Sequence, residues 1–124
     1  MNNIDAGEAR RLHAALREIF VYRESAAAPD FRALRKVLAL CEAATRAVDD
    51  AYCREKLRLV AEYAAEMLSQ SSHAKWGRDS ASGAEFLRQQ VLNALELFAS
   101  RLYSLETLRV SQADAEKLRL GLSV

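Results

Sequence analysis

Two histidines are the side chains of this chain best suited to proton or group transfer. His13 and His73 lie far apart in the sequence, and the two cysteines, Cys41 and Cys53, form no CxxC pair and have no histidine nearby. Zinc and haem sites need clustered ligands, and carboxylate-bridged metal sites in helical bundles need Glu-x-x-His pairs. Arginine and glutamine stand three positions before the histidines. We therefore expect no metal, no cofactor and no catalytic residue, with both thiols in the core.

A histidine on the surface of a helix can accept a phosphoryl group, which makes His13 and His73 alternative phosphoacceptors. The motif of the histidine phosphotransfer bundles resembles H-x-x-K-G. At the lysine and glycine positions of this motif, three and four residues after the histidine, His73 is followed by tryptophan and glycine and His13 by leucine and arginine. His13 borders the apolar face of a predicted helix with Arg17 one turn further on, so it is the better placed of the two.

The polar, helix-poor stretch 70–82, QSSHAKWGRDSAS, contains the second candidate site. A tryptophan between Lys75 and Arg78 has the composition of a binding hot spot, and the two cations could hold an acidic or phosphorylated partner. The alternative is that Trp76 folds back and closes the end of the protein. We expect these three residues to bind a partner.

The elements that must position these residues are helices. Alanine (23) and leucine (18) supply a third of the 124 residues, and there is neither glycine nor proline between Asp30 and Ser71 or between Ala84 and Val110. Such stretches can stay helical without interruption. The sequence predicts one all-α domain over 1–124, an antiparallel four-helix bundle with a short C-terminal helical appendage. The predicted helices are 5–25, 30–48, 50–70, 83–110 and 112–120, with a polar loop over 71–82.

Heptad spacing predicts the core face of the second helix. A regular seam alternates steps of three and four residues through Phe31, Leu34, Leu38, Cys41, Thr45, Val48 and Tyr52. The apolar phase shifts after Val48, where Asp49 or Asp50 could cap a new helix. A tight turn there is favoured over one continuous helix with a stutter.

The final long helix has an apolar arc of about 240°, far wider than the usual stripe. Its centre consists of Leu87, Val91, Ala94, Leu95, Phe98, Leu102 and Leu105. Leu92, Ala99 and Tyr103 extend one flank, and Leu97 and Leu108 extend the other. The arc predicts either central burial or an interface, and we expect a homodimer through the flank of Leu92, Ala99 and Tyr103.

Composition limits the function classes. Eighteen basic and 17 acidic side chains give a net charge of +1 without a basic stripe, and no apolar run is long enough to span a bilayer. We expect neither nucleic-acid binding nor membrane insertion, and a cytoplasmic, bacterial protein. The predicted function is a non-enzymatic protein-interaction or regulatory module, such as an adaptor, sequestering regulator or chaperone. The alternatives are a phosphotransfer relay and a small-ligand sensor with Tyr63 and Tyr103 as polar anchors.

Overall fold

The computed structural model describes residues 4–21, 31–72 and 78–119. Over these ranges the protein is all helical, as its composition predicts. Five helices lie within those ranges: α1 (Ala6–Phe20), α2 (Phe31–Arg35), α3 (Val37–Ala47), α4 (Ala51–Ser72) and α5 (Arg78–Arg119). Within the same ranges, no helix is both long and apolar enough to cross a membrane.

Contacts with other parts of the chain fix both ends of α1. At its start, the Asp5 carboxylate caps the first turn, and the Asp5 N–H donates to the Ala47 carbonyl (2.7 Å). At its end, the Arg88 side chain of α5 donates to the Phe20 carbonyl (3.3 Å). This contact satisfies a carbonyl of the last turn, and the extended backbone of Val21 ends α1 at Phe20, earlier than predicted. Residues 22–25 lie outside the described ranges.

The region predicted over 30–70 is broken twice. The Lys36 N–H donates to the Ala33 carbonyl (3.0 Å), a tight i→i−3 bond that separates α2 from α3. Between α3 and α4 the chain turns, and the Asp50 carboxylate accepts a hydrogen bond from the Cys53 N–H (3.0 Å). Asp50 therefore caps α4, in the place where the phase of the apolar pattern changes.

α5 is one helix of 42 residues, longer at both ends than the predicted helix 83–110. It already begins at Arg78, and the Glu85 carboxylate accepts a hydrogen bond from the Arg88 side chain one turn ahead (3.1 Å), as inside a helix. The predicted appendage 112–120 is not a separate element. Neither glycine nor proline occurs between Ala84 and Leu120, so α5 continues through the S-x-x-D capping pattern of Ser111 and Asp114.

The core lies among α1, α3, α4 and α5: α1 packs against α3 and α5, and α4 packs against the same two helices. Arg10, early in α1, pairs with Glu106, late in α5, whereas Phe20 contacts Arg88. α1 and α5 therefore run in opposite directions. The largest fully buried side chains are Phe20, Phe98, Leu12, Leu16, Leu34, Leu57, Met67 and Leu95.

The heptad seam predicted as the core face of α3 is partly wrong, because one of its large residues is exposed. Leu34, Cys41 and Val48 are buried, but Leu38 is 60% exposed, and Val37 and Ala44 are buried instead. The predicted set with Leu38 and the buried set with Val37 both alternate steps of three and four residues through Leu34, Cys41 and Val48, so periodicity does not distinguish them. Because α3 contacts both α1 and α4, its buried face is centred on the side of the smaller residues, and Leu38 lies on the opposite flank.

Candidate functional site

The central face of α5 is core, which is one of the two alternatives that the apolar arc left open. Its seven predicted positions are all buried: Leu87, Val91, Ala94, Leu95, Phe98, Leu102 and Leu105. The two flanks of the apolar arc are not enclosed to the same degree. Each flank therefore has to be considered as a separate surface.

The flank predicted for dimer contacts lies beside α1. Leu92 is half-buried against the core and Ala99 is half-buried, whereas Tyr103 is 71% exposed. Ala99 and Tyr103 line a pocket of about 290 Å³ between α1 and α5, together with His13, Arg10, Leu102 and Glu106. The structure thus brings His13, predicted as a phosphoacceptor, next to Ala99 and Tyr103, which were predicted as dimer contacts.

His13 is held by the packing of α1 on α5. Its half-buried ring stacks on Phe98, with centroids 6.1 Å apart and an interplanar angle of 22°. Burial lowers the pKa of His13, while a hydrogen bond with the Leu95 backbone acts in the opposite direction. Nearby Arg17 also lowers the pKa. The ring is therefore neutral near pH 7, with one nitrogen able to accept a hydrogen bond.

The charges beside this pocket cancel. Arg10 forms an ion pair with Glu106, and both side chains line the pocket with His13. A phosphoryl group on His13 would therefore meet a carboxylate as well as a guanidinium. Tyr63, predicted as a ligand anchor, packs half-buried against the core and does not line this pocket.

The predicted loop site falls mostly between α4 and α5. α4 extends to Ser72 and α5 begins at Arg78, so the segment between the helices is shorter than the predicted 71–82. His73, Lys75 and Trp76 lie outside the described residues, and Arg78 is described by its backbone alone. Their role as partner-binding or phosphoacceptor residues stays a prediction.

The opposite flank of α5 carries three large exposed apolar side chains. Phe86 is 62% exposed, Leu97 42% and Leu108 53%. They are spaced 11 residues apart, and 11 residues make three helical turns with a drift of only about 20° per step. The three side chains form a straight line, called here the outer flank of α5. The sequence analysis placed Leu97 and Leu108 on this side but missed Phe86, which the 11-residue recurrence could have revealed.

A partly buried ion pair lies next to the outer flank. The Asp50 carboxylate accepts hydrogen bonds from Arg101 Nη2 (2.9 Å) and Nε (3.2 Å), while it also caps α4. Asp50 is 6% exposed. The hydrogen bond from Arg101 holds the pKa of Asp50 at about 2, against the effect of burial. This pair joins the start of α4 to the middle of α5 and has a structural role.

A groove of about 440 Å³ lies between α3 and α4 around the exposed Leu38. Its apolar lining comes from Leu38, Cys41, Leu57 and Ala61, and its polar lining from Glu42, Thr45, Arg46, Arg54 and Arg58. Arg54 and Arg58 each pair with carboxylates close to them in sequence. The groove therefore has no marked excess of charge that would define a partner.

The thiols are poor candidates for chemistry. Cys41 and Cys53 are buried and free, and burial raises the pKa of each to about 12, which keeps them protonated. Over the part of the chain that the structure describes, no three histidine, cysteine, aspartate or glutamate residues cluster as metal ligands. No protein-family model, curated protein or solved structure matches the chain. The exposed surfaces of α5 are thus the features from which function can be argued.

Proposed function

We propose that this protein is a non-enzymatic interaction module, an antiparallel four-helix bundle in which the last helix binds a second copy of the chain. The outer flank of α5 carries the proposal. Single exposed apolar residues are common on protein surfaces, whereas several on one face are typical of an interaction site. Phe86, Leu97 and Leu108 recur on one face over about 33 Å of helix, with polar side chains between them.

The fold does not require this strip. The buried face of α5 already supplies seven apolar residues to the core, and the outer flank lies away from the α1 side of the helix. Burying an exposed leucine or phenylalanine completely is worth roughly 1.5 to 3 kcal/mol. Association of two copies would recover part of that free energy, which folding of the monomer leaves unused.

The remaining functional groups in the described ranges favour binding over catalysis. The thiols are protonated, and the most buried carboxylate, Asp50, is committed to Arg101 and to the α4 cap. His13 stacks on Phe98 beside a neutralised ion pair. These groups have structural partners, and a cytoplasmic adaptor, sequestering regulator or chaperone is the kind of protein we propose.

The loop residues predicted to bind a partner complement this proposal. In the sequence, Lys75 and Trp76 come between α4 and α5, and Arg78 is the first residue of α5. We propose these three residues as the contact for a different protein partner, and the exposed Tyr103, about 37 Å further along α5, as a separate candidate contact. Such a partner should lose affinity for Trp76→Ala without loss of self-association.

Phosphotransfer through His13 is the second candidate, because Arg10 and Arg17 lie one turn before and one turn after it on α1. Incubation with acetyl phosphate followed by ³¹P NMR tests it, with His13→Gln and His73→Gln as controls. We expect no phosphohistidine signal. A signal that His13→Gln abolishes would make phosphotransfer the better account.

Sedimentation velocity tests the main proposal. Wild type should show a concentration-dependent rise in sedimentation coefficient, and Leu97→Glu should abolish it because a carboxylate would be desolvated in the contact. Tyr103→Glu is the matched control, since Tyr103 is exposed on the opposite, α1 flank of the same helix. Circular dichroism should show equal helicity for all three proteins. Equal association of wild type and Leu97→Glu would contradict the proposal.

A further inference from the structure

We infer that the pocket between α1 and α5 binds an uncharged, planar heteroaromatic molecule that carries an amino group, such as a free adenine base. The pocket has a volume of about 290 Å³ and is lined by side chains of both helices. Ligand pockets in proteins begin at roughly 300 Å³, so a single small ring system is the size of molecule that it accepts. The pocket lies on the α1 flank of α5, away from the outer flank, and the inference does not depend on self-association.

A small residue at the contact between the two helices creates the pocket. Ala99 is half-buried on α5, one turn after Leu95 and one turn before Tyr103. Its methyl group leaves space among longer side chains, and the buried Leu102 supplies an apolar wall. A larger side chain at position 99 would therefore fill the space between α1 and α5.

His13 presents a hydrogen-bond acceptor to this space. Its hydrogen bond with the Leu95 backbone raises the pKa of the ring, so a ring N–H is the donor of that bond. The ring is neutral near pH 7 because burial lowers its pKa, and its second nitrogen then carries a lone pair. A ligand that fits this nitrogen has to bring an N–H or an O–H group.

The ion pair of Arg10 and Glu106 presents both a donor and an acceptor. The pair is joined by one hydrogen bond, from Arg10 Nη1 to Glu106 Oε1. Within the described ranges, Glu106 Oε2 and the other guanidinium N–H groups have no hydrogen-bond partner. An amino group beside a ring nitrogen matches this arrangement, since the amino group can donate to the carboxylate and the ring nitrogen can accept from the guanidinium.

Aromatic rings on both helices favour a planar ligand. Phe98 covers one face of the His13 ring, so the ring reaches the pocket with its other face or its edge. The Tyr103 ring is 71% exposed and stacks on no other ring of the described residues. Stacking of a base on an aromatic side chain strengthens binding by about 5- to 150-fold.

Other classes of ligand fit the pocket less well. An anion would be attracted by Arg10 but repelled by Glu106, and a cation would meet the reverse arrangement. A purely apolar molecule would cover the free carboxylate oxygen and N–H groups without replacing their hydrogen bonds to water. A neutral ring with donors and acceptors avoids both penalties.

An NMR titration with adenine tests the inference, with purine as the matched ligand that lacks only the amino group. The signals of the Ala99 methyl group and the Tyr103 ring should shift saturably, whereas Leu38, in the groove of α3 and α4, should not shift. For a molecule of about ten non-hydrogen atoms in an open pocket, we expect a dissociation constant of about 0.1 to 5 mM. Purine should bind at least about tenfold more weakly, because it lacks the hydrogen bond to the carboxylate.

Three variants test the position of the site. Ala99→Leu should abolish adenine binding because it fills the pocket. Tyr103→Ala should weaken binding at least about fivefold, whereas Tyr103→Phe keeps the ring and should bind as wild type does. Tyr103 is exposed, so its replacement does not endanger the fold, and circular dichroism checks the helicity of each variant. Leu97→Glu, which should prevent self-association, should bind adenine with the affinity of wild type.

Several results would overturn the inference. Absence of saturable shifts up to about 5 mM adenine would show that the pocket does not take this class of ligand. Equal binding of adenine and purine, or unchanged binding by a helical Ala99→Leu, would do the same. Adenosine 5′-monophosphate that binds more than about tenfold tighter than adenine would indicate an anion site instead. None of these results bears on the proposed self-association, which the Leu97→Glu comparison in sedimentation tests separately.

Discussion

Replacing Asp50 with asparagine should destabilise the protein in a pH-dependent manner. Asparagine retains the ability to cap α4, so Asp50→Asn mainly removes the charge that pairs with Arg101. The pKa of Asp50 falls from an ordinary 3.8 to about 2 on folding. That difference is equivalent to at most about 2 kcal/mol of stability, since Asp50 is almost fully buried while solvent screens the part-exposed Arg101.

The pH dependence follows from the direction of the shift. A carboxylate whose pKa is lower in the folded state stabilises the fold above its unfolded pKa, and this stability is lost as the pH falls through the folded pKa. Wild type should therefore exceed Asp50→Asn by up to about 2 kcal/mol at pH 7, by about half of that near pH 3, and by less than about 0.5 kcal/mol at pH 2. Urea titrations at the three pH values measure these differences.

Asp49→Asn is the matched control, since Asp49 pairs with Arg54 at 3.2 Å and both side chains are more than half exposed. Exposed pairs contribute little, so its cost should stay below about 0.5 kcal/mol at every pH. An Asp50→Asn variant as stable as wild type at pH 7 would refute the reasoning. An equal loss at pH 7 and pH 2 would do so too, because a charge-independent packing effect would then explain it.

Three further predictions follow from the core and from the titratable groups. Leu34→Ala should cost about 2 to 5 kcal/mol and Leu38→Ala less than about 1 kcal/mol in denaturant titrations, because Leu34 is buried and Leu38 is exposed; equal costs would restore the predicted seam. An NMR titration of His13 should give a midpoint below 6.5, because burial lowers its pKa, and stability should decline as the pH falls below 6.5. A midpoint at or above 6.5 would show that the ring is not buried against Phe98. A thiol reagent at pH 8 should label neither Cys41 nor Cys53 in the folded protein and both in denaturant, since the pKa of each is raised to about 12; rapid labelling of the folded protein would contradict their burial.

Periodicity identified the seven central positions of the apolar arc of α5, all of which are buried, because an amphipathic pattern identifies a face when one set of positions dominates. It was ambiguous for α3, where two sets share Leu34, Cys41 and Val48. The choice between Leu38 and Val37 depends on which neighbours α3 contacts. A single sequence does not contain that information, and the larger residue was the wrong choice.

Helix ends and the pocket depended on contacts between distant parts of the chain. Ser82 and Glu85 have the local S-x-x-E pattern that predicts a helix start, yet α5 begins earlier, at Arg78, and Arg88 reaches across to Phe20. His13 and Tyr103 are 90 residues apart and meet because α1 and α5 pack antiparallel. Sequence patterns can identify such residues as candidates, but the packing of helices determines which of them share a site.

The strength of the proposed self-association can be approximated from exposure. Phe86, Leu97 and Leu108, together with Tyr52 at the start of α4 near Arg101, are each roughly half exposed, and two copies contribute eight such side chains. Covering them is worth about 6 to 12 kcal/mol, and association costs at least about 4 kcal/mol. The difference is at most about 2 to 8 kcal/mol, so we expect a weak dimer, with a dissociation constant no lower than about 1 µM.

A dilution series monitored by methyl NMR tests self-association at the outer flank most directly, in the unmodified protein. Between about 10 µM and 1 mM, the methyl signals of Leu97 and Leu108 should shift together with one dissociation constant. Leu38, an exposed leucine on a different surface, is the internal control and should not shift. Concentration-independent spectra, or shifts confined to Leu38, would contradict the claim that the outer flank of α5 binds a second copy.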